Sequence, residues 1–177
     1  MGKSISDFFA HHRLAHGPQK PDLSKLQYCD ELEQIGIEEG LFEFSSPPAE
    51  DITIGRAPGS WQDQEAAKTK YLWAVAKTGI PAALEIPVNG THLMRGRLAH
   101  TNLTGGEEAH TAGELWFYDK NSIVINGGSS RYKPRSPEEL TSVARAFKDA
   151  GYKVADMGWD EETDGPCRIL RGDPKWI

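Results

Sequence analysis

Short apolar runs between residues 71 and 126 are separated by turn residues, and this pattern restricts the chain to a fold that contains a sheet. Large side chains alternate from Tyr71 to Val75, which favours a strand. The runs 82–88 and 91–99 flank Asn89-Gly90, the dipeptide most typical of a tight hairpin. A second hairpin is predicted from 114–118 and 122–126. Consecutive hairpins predict a mostly antiparallel sheet.

Helices are predicted before and after these strands. Residues 4–16 and 22–40 predict two N-terminal helices. Ser136 before Pro137 and two glutamates predicts the start of a helix of about 137–150. The sequence therefore predicts an α+β fold with N-terminal helices and the 137–150 helix packed on the sheet.

The remaining segments are predicted to be loops, a further helix and two final strands. Residues 45–60 predict a loop with a short strand at 52–54, and 62–70 predict a helix. Final strands are predicted at 152–159 and 167–170. A helical and loop region, 1–60, would then join an antiparallel α+β core, 61–177, in one compact unit.

Composition excludes several functional classes. The 177 residues are 38% hydrophobic and 26% charged, which predicts a soluble globular protein without a membrane span. A net charge of −6 argues against general nucleic-acid binding. Cys29 and Cys167 fit no C-x-x-C pattern, so no disulfide framework or cysteine metal site is expected and a cytoplasmic location is favoured. No residue pattern identifies a cofactor.

The candidate catalytic residues lie in a polar stretch of roughly 95–135. His100 is a candidate general base or acid at the end of a predicted strand. Glu114 is a candidate acid or arginine partner, and Arg131 and Tyr132 are candidates for anion binding and proton donation. The alternatives are that His100 binds a backbone carbonyl, that Glu114 is solvated, and that Tyr132 packs in the core with its hydroxyl bonded.

The candidate ligand-binding residues surround these groups. Arg95 and Arg97, two apart on a predicted strand, would share one face and bind an anion. An anion-binding turn and a second loop are predicted from hydroxyl, amide and glycine residues: Thr101, Asn102, Thr104, Gly105, Gly106, Ser129 and Ser130. The alternatives are an exposed charged edge and a plain polar turn that uses glycine for positive φ.

Other chemically capable residues are expected at the surface. His12 and His16 have i,i+4 spacing, which permits a metal ion, but neither they nor His11 belong to an H-E-x-x-H pattern. Asp160-Glu161-Glu162 predicts a solvated acidic turn. No metal site is therefore expected.

The order of polar elements between residues 80 and 155 carries a family resemblance. A His-led run, a Gly-Gly pair, an Ala-Gly step and a Ser-Ser-Arg-Tyr-Lys-Pro segment follow each other at His100, Gly105-Gly106, Ala112-Gly113 and 129–134. This segment resembles the C-terminal region of plant IQ-motif calmodulin-binding proteins and their uncharacterised bacterial and fungal relatives. The resemblance implies a shared fold and a functional region around these residues.

Two departures from the family pattern limit what the resemblance implies. Ser130 replaces a glycine and Arg131 replaces a histidine, and an always-charged arginine cannot serve as a general base. The IQ motif has no counterpart in this chain, so calmodulin is not an implied partner.

Two functions are compatible with these features. The first is a domain that binds a small anionic, nucleotide-like ligand, with transferase or hydrolase chemistry at a phosphorylated centre. The second is a non-catalytic interaction module, such as an acidic immunity or inhibitor protein, that binds a protein partner through residues such as Trp61, Trp159 and Trp176. The first requires His100, Arg97 and Arg131 to face one pocket, and the second requires them to be dispersed.

Overall fold

The computed structural model describes residues 2–44 and 51–177, and it confirms the predicted α+β class. A six-stranded sheet has the order β1-β3-β2-β4-β5-β6, with every pair antiparallel except β5 and β6. Its strands are β1 Phe42–Glu43, β2 Tyr71–Ala76, β3 Pro81–Leu84, β4 Ala109–Asp119, β5 Ser122–Asn126 and β6 Lys153–Asp156. Two further short strands, β7 Trp159–Asp160 and β8 Gly165–Pro166, pair with each other.

Both faces of the sheet are buried, and the alternation in β2 explains how. Tyr71, Trp73 and Val75 pack into the core cluster that contains helix α5, Pro137–Asp149. Leu72 and Ala74 point the other way, into a cluster with Leu98, Leu103 and Tyr132. This second face carries the short helix α4, His100–Thr104, and the loops around it.

Helix α5 starts and stops where the sequence predicts. The Ser136 side chain accepts a hydrogen bond from the Glu139 amide at 3.2 Å, and Pro137 occupies the first turn. Gly151 follows the helix with a φ of +106°, which a residue with a side chain rarely adopts. The helix connects β5 to the parallel strand β6 and covers one face of the sheet.

The N-terminal region differs from its prediction. Instead of one helix over 4–16, two short helices, α1 Ile5–Phe8 and α2 Ala10–Ala15, meet at Phe9. The predicted helix over 22–40 is wrong: the segment forms 3₁₀ turns at Leu23–Lys25, Cys29–Leu32 and Ile37–Glu39. Its peptide groups bond to each other only within these short turns, and Asn102 donates from outside the segment to the carbonyls of Asp30 and Glu33.

The hairpin predicted at Asn89-Gly90 is also wrong. The Gly90 amide does bond to the Pro87 carbonyl at 3.0 Å in a turn, but residues 85–99 form no strand. The edge of β3 that the predicted partner would need is occupied by β1, where Phe42 pairs with Ala82. The chain therefore leaves the sheet after Leu84 and packs over its second face.

The remaining predictions are mostly confirmed. Helix α3, Gln64–Lys68, precedes β2, and the second hairpin joins β4 to β5. The strand predicted at 167–170 is wrong: these residues form no strand, and β8 ends just before them at Pro166. In the loop predicted over 45–60, residues 45–50 lie outside the described residues, and Ile54 forms an isolated bridge with Phe117.

Candidate functional site

A polar cavity of about 180 Å³ lies on the sheet face opposite α5. Five of the predicted site residues line it: Arg95, His100, Glu114, Ser130 and Arg131. Glu85 and Arg168, which the sequence did not single out, line it as well. The structure thus brings a histidine, arginines and carboxylates from separate parts of the chain to one place.

His100 is the first residue of α4, and its ring is buried. Its Nε2 lies 2.8 Å from the carbonyl oxygen of Gly113. A carbonyl can only accept, so Nε2 carries the proton and Nδ1 carries the lone pair. Burial lowers the pKa of His100 to about 4, which keeps the ring neutral at neutral pH. His100 therefore both lines the cavity and bonds to a backbone carbonyl, although that carbonyl belongs to strand β4 and not to the loop in which an acceptor was expected.

Glu114, on β4, is a buried carboxylate with three partners. One oxygen lies 3.1 Å from Lys70 Nζ and 2.8 Å from an Arg168 nitrogen, and the other accepts from Asn126 at 2.9 Å. Burial by itself would raise the pKa of Glu114, but Lys70 and Arg168 outweigh it and lower the pKa. Lys70 also pairs with Glu85 at 2.8 Å. Glu114 is therefore ionised and not solvated.

Glu31 holds two of the predicted anion-binding arginines. Arg95 donates to one Glu31 oxygen at 2.9 Å, and Arg131 donates to the same oxygen. The other oxygen accepts from the backbone amides of Gln27 and Tyr28. Burial opposes ionisation of Glu31, but these amide bonds and the two arginines lower its pKa. The arginines are thus partly neutralised before any ligand binds.

The ionic side chains that line the cavity carry an excess of positive charge. Three arginines, Arg95, Arg131 and Arg168, face two carboxylates, Glu85 and Glu114, while His100 is neutral. Outside the lining, these groups also interact with Lys70, Glu31 and Asp22. Arg131 also donates to Ser130 at 2.7 Å. Its buried Nε has no hydrogen-bond partner among the described residues. The guanidinium therefore keeps unused donor capacity.

Arg97 lies apart from the cavity, so the predicted pairing with Arg95 is wrong, and of the three residues expected to share one pocket only His100 and Arg131 do. It is exposed, whereas Arg95 is half-buried and lines the cavity. The prediction placed both on one strand, but residues 85–99 form a loop, so the period of two does not apply. Arg95 alone faces inward.

The predicted anion-binding turn is instead a capped helix. Asn102 accepts from the Ala99 amide at 2.8 Å and caps the start of α4. Gly105 and Gly106, with φ of +67° and +80°, end the helix, and both amides bond to the Thr101 carbonyl. A Cβ on Gly106 would lie 3.0 Å from the Leu32 side chain. Because both amides already donate to the carbonyl that ends the helix, they are not available to bind an anion.

Tyr132 packs in the core, as the alternative interpretation held. Its ring is fully buried, and its hydroxyl lies 2.7 Å from Thr104 Oγ1 and 2.6 Å from the Glu107 carbonyl oxygen. Ser129 accepts from the Tyr132 amide at 3.1 Å. Ser130 is the member of this loop that reaches the cavity. Tyr132, Thr104 and Ser129 therefore shape the loop that presents Arg131.

Sequence reasoning missed Glu31, Lys70, Glu85 and Arg168, but glycines mark their neighbourhood. Gly113 sits within a buried strand, and a Cβ there would lie 2.0 Å from the Asn126 carbonyl oxygen. A Cβ on Gly128 would lie 2.6 Å from Arg168 Nε. A glycine inside a strand indicates a close approach of another chain segment, which for Gly113 is Asn126; Gly128 follows the end of β5, so this signal does not identify Arg168.

The remaining candidates separate into buried and surface groups. His12 was expected at the surface but is 1% exposed, and both of its ring nitrogens are hydrogen-bonded. Asp160 accepts from the Glu162 amide at 2.9 Å in an exposed turn, as predicted. Across residues 2–44 and 51–177, no three His, Cys, Asp or Glu side chains are placed to hold a metal ion.

The aromatic residues considered for a protein interface are not equally exposed. Trp61 is 77% exposed, but Trp176 packs edge-on against Tyr118, and Trp159 donates to Asp164. Within the described part of the chain, helices with the length and apolarity to cross a bilayer are absent.

Comparison of the chain with protein-family models, with curated proteins and with solved structures finds no match. The resemblance to the IQ-motif proteins therefore stays a prediction.

Proposed function

We propose that this protein binds a small anionic molecule through a phosphate or carboxylate group in the cavity around His100 and Arg131. The observation that supports this proposal is that the two side chains line the same cavity, with Arg95 and Arg168 beside them. The arginines that line the cavity attract an anion, and Arg131 can bind one through the terminal N–H groups that remain beyond its bonds to Ser130 and Glu31.

The size of the cavity limits the part of the ligand that it can hold. Its volume of about 180 Å³ is smaller than that of a typical pocket for a drug-sized molecule, roughly 300–1,000 Å³. A phosphate or carboxylate group fits, whereas a whole nucleotide does not. A nucleotide-like ligand would insert its phosphate and leave the base outside.

The same groups would support transfer or hydrolysis at a phosphorylated centre. His100 Nδ1 carries a lone pair at neutral pH and can accept the proton of an attacking hydroxyl or water. Arg131 and Arg95 would stabilise the charge that develops on the phosphoryl oxygens. With a pKa of about 4, His100 is a weak base, so binding is the primary proposal and catalysis its extension.

Calorimetric titration with inorganic phosphate, phenyl phosphate and acetate tests the binding proposal. Arg131→Gln should weaken binding of the preferred anion about 10- to 100-fold, the effect of losing a charged hydrogen bond. His100→Gln, whose amide can still donate to Gly113, should weaken it less. Arg97→Gln is the matched control, because that arginine is exposed and lies outside the cavity, and the change should alter affinity less than about twofold through screened charge alone.

Two results would contradict the proposal: no binding of any of the three anions to the wild-type protein, or equal losses in Arg131→Gln and Arg97→Gln. Since Arg131 also pairs with Glu31, each variant's melting temperature is measured first. If Arg131→Gln melts early, Arg168→Gln, which is more exposed, provides the same test.

A further inference from the structure

A second, larger cavity lies on the other side of the sheet, in the groove between the N-terminal helices and α5. Its volume is about 510 Å³, within the range of pockets that bind small molecules. Apolar atoms form most of its wall, and Phe8, Ala15, Pro137 and Ala146 contribute to it. Ser142, on α5, and the buried His12, on α2, line the same groove.

A chain of hydrogen bonds runs from Ser142 into the protein interior. Ser142 Oγ lies 3.0 Å from His12 Nδ1, and His12 Nε2 lies 3.1 Å from Thr111 Oγ1. Thr111 in turn donates its proton to Glu139. Glu139 is fully buried and accepts from Arg135 through both carboxylate oxygens, which holds it ionised.

The charge on Glu139 sets the direction of every bond in this chain. An ionised carboxylate only accepts, so the single hydroxyl proton of Thr111 is given to Glu139 and Thr111 Oγ1 must accept from His12. His12 therefore carries its proton on Nε2, and burial, which lowers the pKa of His12 to about 3, keeps the ring neutral. Nδ1 then accepts, and the proton of Ser142 points at it. Ser142 Oγ faces the groove as an acceptor with no proton to offer.

From this fixed direction we propose that the groove binds a small apolar molecule that carries a hydrogen-bond donor, of the alcohol or phenol class, with the donor directed at Ser142 Oγ. The apolar wall supplies burial of the ligand body, and the bond to Ser142 supplies orientation. A ligand that offers only an acceptor at this point would face the lone pairs of Ser142 and lose the bond. The groove is separate from the anion cavity and does not depend on the function proposed for it.

Phenol and its methyl ether, anisole, form a matched pair of probes. Apolar burial alone favours anisole, which has the extra methyl group and no polar proton. The proposed bond reverses this order: phenol should bind wild-type protein roughly three- to tenfold more tightly than anisole, the value of one neutral hydrogen bond. Dissociation constants are measured by following backbone amide shifts of the labelled full-length protein, which also show whether the shifts map to α1, α2 and α5.

Variants on α5 assign the preference to one atom. Ser142→Ala should abolish the preference for phenol, whereas Thr141→Ala, which removes the adjacent hydroxyl in the same groove, should keep it. The proposal is overturned if neither probe binds, if anisole binds wild-type protein as well as phenol does, or if the preference survives in Ser142→Ala. If Ser142→Ala does not fold, the relative affinities of phenol and anisole for the wild-type protein still test the proposal.

Discussion

His100 donates a hydrogen bond from Nε2 to the backbone carbonyl of Gly113 at 2.8 Å, and this bond ties the start of α4 to the middle of β4. The Nε2–H tautomer is the neutral form that can make it. Because the bond consumes the only proton of the neutral ring, Nδ1 is left with its lone pair. The structural role of His100 thus creates the chemical role proposed for it.

The burial of His100 predicts a loss of stability in mild acid. Its pKa is lowered from 6.5 to about 4 in the folded protein, so between these values the unfolded chain binds more protons. The free energy of unfolding should therefore fall as the pH drops from 6.5 to about 4. Urea titrations of wild-type protein and His100→Gln at matched pH values measure this, and the variant should show the shallower fall. Equal slopes for the two proteins would contradict it.

Glu114 is expected to be among the most sensitive positions for stability. Replacing it with alanine leaves Lys70 and Arg168 without their shared carboxylate and Asn126 without an acceptor. Losing these hydrogen bonds to a buried charged group should cost about 1.5–3 kcal/mol, because Lys70 keeps Glu85 as a partner and Arg168 is partly exposed. Glu162→Ala, in an exposed turn, is the control and should change the free energy of unfolding by less than about 0.5 kcal/mol. Similar urea midpoints for both variants would refute the assignment.

Tyr132→Phe should lower the stability of the protein without changing its affinity for anions. The change removes the hydroxyl bonds to Thr104 and to the Glu107 carbonyl but keeps the buried ring. Stability should fall by about 1 kcal/mol, while affinity for anions should remain that of the wild type. Calorimetry alongside thermal unfolding checks both. A loss of anion affinity as large as that of Arg131→Gln would contradict this prediction and show that the Tyr132 hydroxyl contributes to anion binding.

His92 should make a contribution to stability that is present at acidic pH and lost at alkaline pH. Its two ring nitrogens lie 2.6 Å from Glu33 and 2.5 Å from Glu39, which joins the 85–99 loop to the 3₁₀ turns. These hydrogen bonds raise the pKa of His92 above 6.5, because only the protonated ring donates from both nitrogens. The contribution is therefore complete below pH 6.5 and disappears as the pH rises through the raised pKa.

The difference in melting temperature between wild-type protein and His92→Gln, followed across this pH range, measures the effect. His11→Gln is the control, since His11 is exposed on α2 and outside this contact. A difference that is constant with pH, or that grows in alkali, would rule out the protonated bridge.

Local patterns were reliable where one segment supplies all the interactions that define its structure. The Ser136-Pro137 start of α5 depends on a cap that bonds within four residues, and the side-chain alternation that predicted β2 lies within the strand itself. The Asn89-Gly90 turn forms as well, yet no hairpin follows, because a hairpin also needs a free strand edge. β1, distant in sequence, occupies that edge.

Part of the candidate site could be predicted from residue types, whereas the long-range partners of these residues could not. His100, Arg131, Arg95, Glu114 and Ser130 were found because their residue types are chemically capable, and the chain does bring them together. Glu31 was missed because its segment has the composition of a helix, and Arg168 because it lies in a predicted strand. Their pairing with Arg131 and Glu114 is long-range, so no spacing in the sequence reports it.

The sequence by itself determined the α+β class, the strands of the second hairpin, the bounds of α5 and the residue types available for chemistry, since these follow from periodicity and from caps within a few residues. Only the tertiary structure decided which arginines face inward, which hydroxyls are spent on the core and which way the protons of His100 and His12 point. Those outcomes depend on burial and on partners tens of residues away, where the free energy of a contact is set by the packed environment and not by the neighbouring residues in the chain.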